Sequence, residues 1–222
     1  MLKSNLSVLM AERGLKIAKI YEDTGISKTT LMALAENTGK GVQFDTVDKL
    51  CNYLGVTPTE FFVYVPIIWD MSVGKRKNNP NDYIVINVKN SKLRKSYKLT
   101  VYFCSPENFD FPIHNEKFDL WMNVDLEQSD AYDEEDFFKM IESFPITYEN
   151  DFRNEIFELS QDILTSYLKK HDDIHVLAEH GKSFKYKPFS VNDRVKVALH
   201  IFGDNAKHEA MSTIIFDDIF SN

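Results

Sequence analysis

A glycine at position 25 separates two short runs of helical periodicity, and the second run opens on Ser27, a residue suited to cap it. Ile17, Ile20, Tyr21 and Thr24 form the stripe before the glycine; Leu31, Leu34 and Ala35 form the stripe after it. Gly25 stands where a left-handed residue ends a helix, and the Ser27 hydroxyl can accept from the free N–H groups of the next first turn. A joint this short sets two helices at a steep angle. Three further stripes surround the pair. Leu2, Leu6, Leu9 and Met10 make one, ended by Gly14; Phe44, Val47, Leu50, Cys51 and Leu54 make another, with Asp45 or a neighbour as cap and Gly55 beyond it. Thr57-Pro58-Thr59-Glu60 opens the last with a cap, a first-turn proline and an acidic residue three positions after the cap. Five short helices over residues 1–64 can close a small core without metal or disulfide.

The angled pair has a chemical use. A helix that enters the DNA major groove must project its first turn past the body of its domain, and the turn before it sets that projection. With Leu31 and Leu34 inward, the outward face of the third helix carries Lys28, Thr29, Met32, Ala33 and Glu36. Lys28 reaches guanine O6/N7 or a phosphate, Thr29 can hydrogen-bond or touch a thymine methyl, and Met32 and Ala33 add apolar contacts. Asn37, Thr38 and Lys40, in the glycine-bracketed loop that follows, are placed to grip phosphates. Residues 1–64 hold seven basic and seven acidic residues, so affinity must come from setting Lys16, Lys19, Lys28 and Lys40 on one side.

ERGLKIAKIYEDTGISKTTLMALAEN followed by FDTVDKLCNYLGVTPTEFF resembles the Cro/CI-type helix-turn-helix of phage repressors and xenobiotic-response-element regulators. The resemblance covers residues 1–64. It implies a five-helix DNA-binding domain that works as a dimer on a two-fold operator, with recognition-helix contacts at Ser27, Lys28, Thr29 and Ala33. Three positions depart from the family pattern. Lys16 stands where a Ser or Thr cap is common, Ile17 replaces a polar phosphate contact, and Tyr21 fills a usually small position between helices two and three.

Beyond residue 64 the character changes. Residues 65–80 read as a linker or first strand of the next domain, and residues 65–103 carry eight basic residues against Asp70 and Asp82. Ile84, Ile86 and Val88 alternate with Tyr83, Val85 and Asn87, and a second alternating run, Tyr97 to Phe103, follows Asn90-Ser91-Lys92. This predicts a β-hairpin with a basic tip, serving either as a lysine-protected edge or as an added phosphate contact. From Cys104 onward 25 acidic residues stand against 11 basic ones, which argues against a second DNA surface. The acidic run Asp125 to Asp136 leads into a helical stripe of Phe137, Phe138, Ile141 and Phe144. A second helix is expected from Asp151 to Lys170, with Phe152, Ile156, Leu159, Ile163, Leu164, Tyr167 and Leu168 inward. Strands are expected at 117–126, 174–179 and 195–202. The fold class is an all-α five-helix Cro/CI-like domain over 1–64, followed by a mixed α+β domain over 81–222.

Catalytic signatures are absent from the chain. His171 and His175 have a metal-ligand spacing on a helix, but no third ligand accompanies them, so no metal or cofactor is expected. No Ala-Gly pair offers the cleavage bond of a self-cleaving repressor, and no glycine-rich phosphate loop follows a strand. Two cysteines, Cys51 and Cys104, the lack of an 18-residue apolar run and no signal pattern give a non-membrane, cytoplasmic expectation. The leading expectation is a phage- or mobile-element-type repressor that binds a double-stranded operator as a homodimer through residues 65–222. The alternative is that the acidic half binds another protein, as an inhibitor of a nucleic-acid-handling enzyme, with the helix-turn-helix serving autoregulation. Phe109, Phe111, Phe137, Phe138, Phe144 and Phe216 are candidates for an interface.

Overall fold

The structure, a computed structural model, describes residues 1–75, 82–104, 118–170, 175–180, 183–188 and 194–216. The chain divides into two compact units: Met1–Ile68 with Phe144–Tyr148, and Trp69–Ser143 with Glu149–Asn222. In the first unit a strand β1 (Leu2–Ser4) precedes five helices: α1 (Leu6–Glu12), α2 (Ile17–Thr24), α3 (Lys28–Ala35), α4 (Phe44–Leu54) and α5 (Pro58–Phe61). A strand β2 (Phe62–Tyr64) then returns antiparallel to β1, with Leu2 opposite Tyr64 and Ser4 opposite Phe62. Leu6, Leu9, Ile20, Ile26, Leu31, Val47, Leu50, Cys51, Leu54 and Phe61 form the core.

The all-α expectation for this unit is therefore overturned. The five helices are closed by a two-stranded ribbon, and Leu2, assigned by periodicity to the first helix, lies on β1 with 64% of its surface exposed. The cause is local. Ser4 Oγ accepts from the Leu6 N–H at 3.1 Å, which fixes the start of α1 beyond Asn5 and leaves the preceding backbone free to pair with β2. A second correction concerns Phe44, expected inside and found 95% exposed. It shares the face of Val47, but it sits in the first turn of α4, where the helix overhangs the core.

The second unit is built on a six-stranded mixed sheet. Its strands are β3 (Ile68–Gly74), β4 (Tyr83–Lys89), β5 (Arg94–Cys104), β6 (Leu120–Leu126), β9 (Val195–Ile201) and β10 (Ala210–Phe216), in the spatial order β10-β9-β6-β5-β4-β3. A separate hairpin pairs β7 (His175–His180) with β8 (Ser183–Pro188). The β4–β5 hairpin forms in the register Ile84 to Leu99 and Ile86 to Tyr97, and Asn90 closes its turn by accepting from the Lys92 and Leu93 N–H groups. β6 and β9 run parallel, Leu120 beside Val197 and Val124 beside Ile201, because two helices, α6 (Glu134–Glu142) and α7 (Ile146–Leu168), intervene between them. Alternation puts Ile84, Ile86, Val88, Tyr97, Leu99, Val101, Met122, Val124, Val197, Leu199 and Ile201 on one covered face.

Aromatic contacts join that face to the helices. The Tyr97 and Phe137 ring centroids lie 4.8 Å apart, and Phe103 stacks on Tyr167 at 3.9 Å. α7 starts five residues earlier than its periodicity predicts, after Pro145, whose carbonyl accepts from the Tyr148 N–H at 2.8 Å. Its opening residues through Tyr148 belong to the first unit. There the Tyr148 hydroxyl reaches the Met1 carbonyl at 2.7 Å and the Val63 carbonyl at 3.1 Å, and burial pushes its pKa up to about 12. β9 is followed by Phe202, a buried non-glycine residue at φ +57, a conformation that costs about 1–3 kcal/mol.

Candidate nucleic-acid interface

The joint between α2 and α3 is fixed by its own side chains. Gly25 adopts φ +71 and its N–H donates to the Tyr21 carbonyl at 2.9 Å. Thr24 Oγ1 donates to the Ile20 carbonyl at 2.6 Å and accepts from the Ile26 N–H at 3.2 Å, so one hydroxyl holds both sides of the turn. Ile26 is buried and anchors the turn in the core. Ser27 then caps α3, accepting from the Thr30 N–H at 3.1 Å. Leu31 is fully buried one turn later, which orients the opposite face of α3 outward.

That outward face carries the residues expected there. Lys28 and Thr29 are exposed, Met32 is 49% exposed, and Ala33 is half-buried behind them. Ser27 is exposed too, with its hydroxyl engaged in the cap and 2.9 Å from that of Thr30. Lys28 Nζ lies 5.3 Å from the centroid of the Tyr21 ring. Tyr21 is accommodated by turning out to 44% exposure instead of entering the helix contact, and its ring gives the Lys28 ammonium a fixed seat. Lys16 is exposed at the extended N-cap position of α2 and makes no side-chain cap bond; Ile17 packs against the core.

The loop residues divide in their roles. Thr38 and Lys40 are exposed. Asn37, at φ +55, has its side-chain oxygen accepting from the Ser4 N–H at 2.6 Å and its amide donating to the Ser4 carbonyl at 3.1 Å. Its amide thus continues the hydrogen-bond ladder beside β1. Lys19 pairs with Asp23 at 2.8 Å, and Asp23 also accepts from the Tyr53 hydroxyl at 2.7 Å. These bonds hold the Asp23 carboxyl below, and the Lys19 ammonium above, their ordinary values.

Sequence reasoning missed the ribbon's share of this surface. A groove of about 470 Å³ runs between α3 and β1, and Lys3, Thr29, Ala33, Asn37 and Lys40 line it. The Ser4-Asn5 pair ahead of Leu6 was the available signal, since two capping residues there leave Leu2 and Lys3 outside the helix. Among the other candidates, Phe137, Phe138 and Phe144 are buried, so packing and not an interface explains them. Phe109, Phe111 and His171 lie outside the described residues, as do the side chains of His175 and Phe216. Among the described residues no cluster of His, Cys, Asp and Glu could hold a metal, and no helix is long and apolar enough to cross a membrane. Cys51 and Cys104 are free thiols whose pKa values burial raises.

Residues 5–66 match the family model of the Cro/C1-type HTH DNA-binding domain, so this segment is a DNA-binding domain of that type. The match spans the angled pair, its flanking helices and the ribbon strand β2. No curated protein and no solved structure matches the chain.

Proposed function

We propose that the protein is a transcriptional repressor of phage or mobile-element type that reads a two-fold operator as a homodimer. The observation that carries this reading is the first turn of α3, with Lys28 and Thr29 exposed beyond a buried Leu31, inside a segment of Cro/C1 type. Lys28 and Thr29 supply base contacts, with Ser27, Met32 and Ala33 beside them, while Lys16, Thr38 and Lys40 contact phosphates. Asn37 acts at one remove, holding the loop that carries Thr38 and Lys40 against β1. A charge-balanced reader needs a second copy to double its contacts, and residues 65–222 are assigned that role.

The test selects bound fragments from random double-stranded DNA at two salt concentrations and measures affinity for the selected site. Lys28→Ala and Thr29→Ala are expected to lose about 1–3 kcal/mol each on that site and to relax its sequence preference. Lys40→Ala should weaken all sequences alike and flatten the salt dependence. Unchanged affinity in both α3 variants, with the fold retained, would remove α3 as the reading element. A selected site without two-fold symmetry would remove the dimer.

A further inference from the structure

The acidic run from Asp125 to Asp136 has no part in the DNA-reading surface, and the fold gathers much of it in one place. β6 and β9 are the parallel pair of the sheet, and their carboxyl ends, Leu126 and Ile201, lie together. A crevice of about 620 Å³ opens there, the position at which sheets with parallel strands commonly take ligands. Asp125, Glu127, Glu134 and Asp204 bring carboxylates to it, Phe138 supplies an apolar wall, and Tyr102 stands at its edge. No Lys, Arg or His lines it among the described residues.

Asp125 is the informative member. It is 8% exposed, and one carboxylate oxygen, Oδ1, is buried without a hydrogen-bond partner. Burial and the nearby Asp204 raise the pKa of this carboxylate, against the opposing pull of the Gly203 and Asp204 backbone N–H groups and of His200. The strained Phe202 presents those two N–H groups, its ring locked edge-on against Phe137 and Phe138 at centroid distances of 5.8 and 5.4 Å. A buried carboxylate oxygen left unpaired beside a second carboxylate is unfavourable, and strained backbone concentrates where a site needs it.

We propose that this crevice binds a small organic cation, a guanidinium or amine carried on a short alkyl chain. Such a cation supplies the N–H donor that Asp125 lacks and sets a positive charge beside the Asp204 and Glu134 carboxylates. Its alkyl stem lies along Phe138, and Tyr102, 41% exposed, offers a ring face to the charged end. The space suits a molecule of this size and exceeds what a single ion fills. The proposal is independent of the DNA-reading assignment, since all of these residues belong to the second unit.

The test is calorimetric titration of the full chain with agmatine, which carries a guanidinium and an amine on a four-carbon stem. 4-Guanidinobutyrate, with a carboxylate in place of the amine, and magnesium chloride serve as comparison probes. Agmatine is expected to bind at one site per chain, 4-guanidinobutyrate markedly more weakly, and magnesium chloride not to compete beyond its ionic-strength effect. Asp125→Asn and Asp204→Asn are each expected to weaken agmatine about tenfold, the worth of one charge-assisted hydrogen bond. Asp204 is exposed, so its variant keeps the test open if Asp125→Asn does not fold. Glu135→Gln makes the same charge change outside the crevice and should leave the affinity unaltered. No heat with agmatine at 10 mM, on the order of the weakest useful affinity, would overturn the proposal. So would equal losses in Glu135→Gln and Asp204→Asn, or stoichiometric displacement of agmatine by magnesium.

Discussion

Gly25 and Phe202 occupy the same left-handed region of backbone space, at φ +71 and φ +57, and each turns the chain just before a group of functional interest. Gly25 adopts that conformation without steric conflict, and nothing lies within 4 Å of where a Cβ would stand. Phe202 adopts it against the preference of a bulky side chain, held by the rings of Phe137 and Phe138. The first turn is therefore specified by local chemistry and the second by packing. A turn of the first kind can be recognised in a sequence; a turn of the second kind cannot.

Substitutions can break this contrast. Phe202→Ala leaves the backbone strain in place and removes the ring whose packing on Phe137 and Phe138 offsets it, so it should destabilise the second unit by about 3–5 kcal/mol. Chemical denaturation followed through tyrosine and tryptophan fluorescence would measure the loss, and a change below about 1 kcal/mol would mean that packing does not hold the turn. Gly25→Ala should cost only about 1–2 kcal/mol, all of it backbone strain, because the added methyl meets open space. Its larger signature should be weaker operator binding, since the direction of α3 depends on the turn. If both variants cost the same, the distinction between the two turns fails.

A third effect is a pH dependence in the first unit. The Tyr148 pKa is raised from 10.0 in the unfolded chain to about 12 in the folded one, so the neutral phenol is favoured on folding. The stability it contributes is full below pH 10 and is lost as pH rises toward 12. Tm measured across that window should fall more steeply in the native chain than in Tyr148→Phe, which has no phenol to ionise. Equal slopes would show that burial does not hold the Tyr148 phenol neutral.

The legible parts share one property: their determinants are close together in the chain. Ser27 caps α3, Glu60 accepts from the Thr57 N–H at 2.7 Å to open α5, and Ile84, Ile86 and Val88 alternate into the sheet as read. The candidate reading residues Lys28, Thr29 and Met32 also follow from spacing, since Leu31 can only face inward. Where partners are distant the reading failed. Periodicity places Leu2 in a helix because its pairing partner Tyr64 lies at the far end of the unit, and it places Phe44 in the core because it does not tell where a core stops. The role of Asn37 was hidden for the same reason, its partner Ser4 being 33 residues away.

By itself the sequence determined the five helices, the angled pair around Gly25, the exposed face of α3 and the hairpin of β4 with β5. Caps, stops and amphipathic periods act within a few residues, and the local order of residues encodes them. Only the tertiary structure decided that β1 closes the first unit against β2, that Tyr21 turns outward beneath Lys28, and that β6 and β9 lie parallel. It alone also decided that Asp125 and Asp204, 79 residues apart, face one crevice with a carboxylate oxygen unpaired. Those outcomes depend on which distant surfaces bury one another, and the gain from burial is not directional, so spacing along the chain does not specify it.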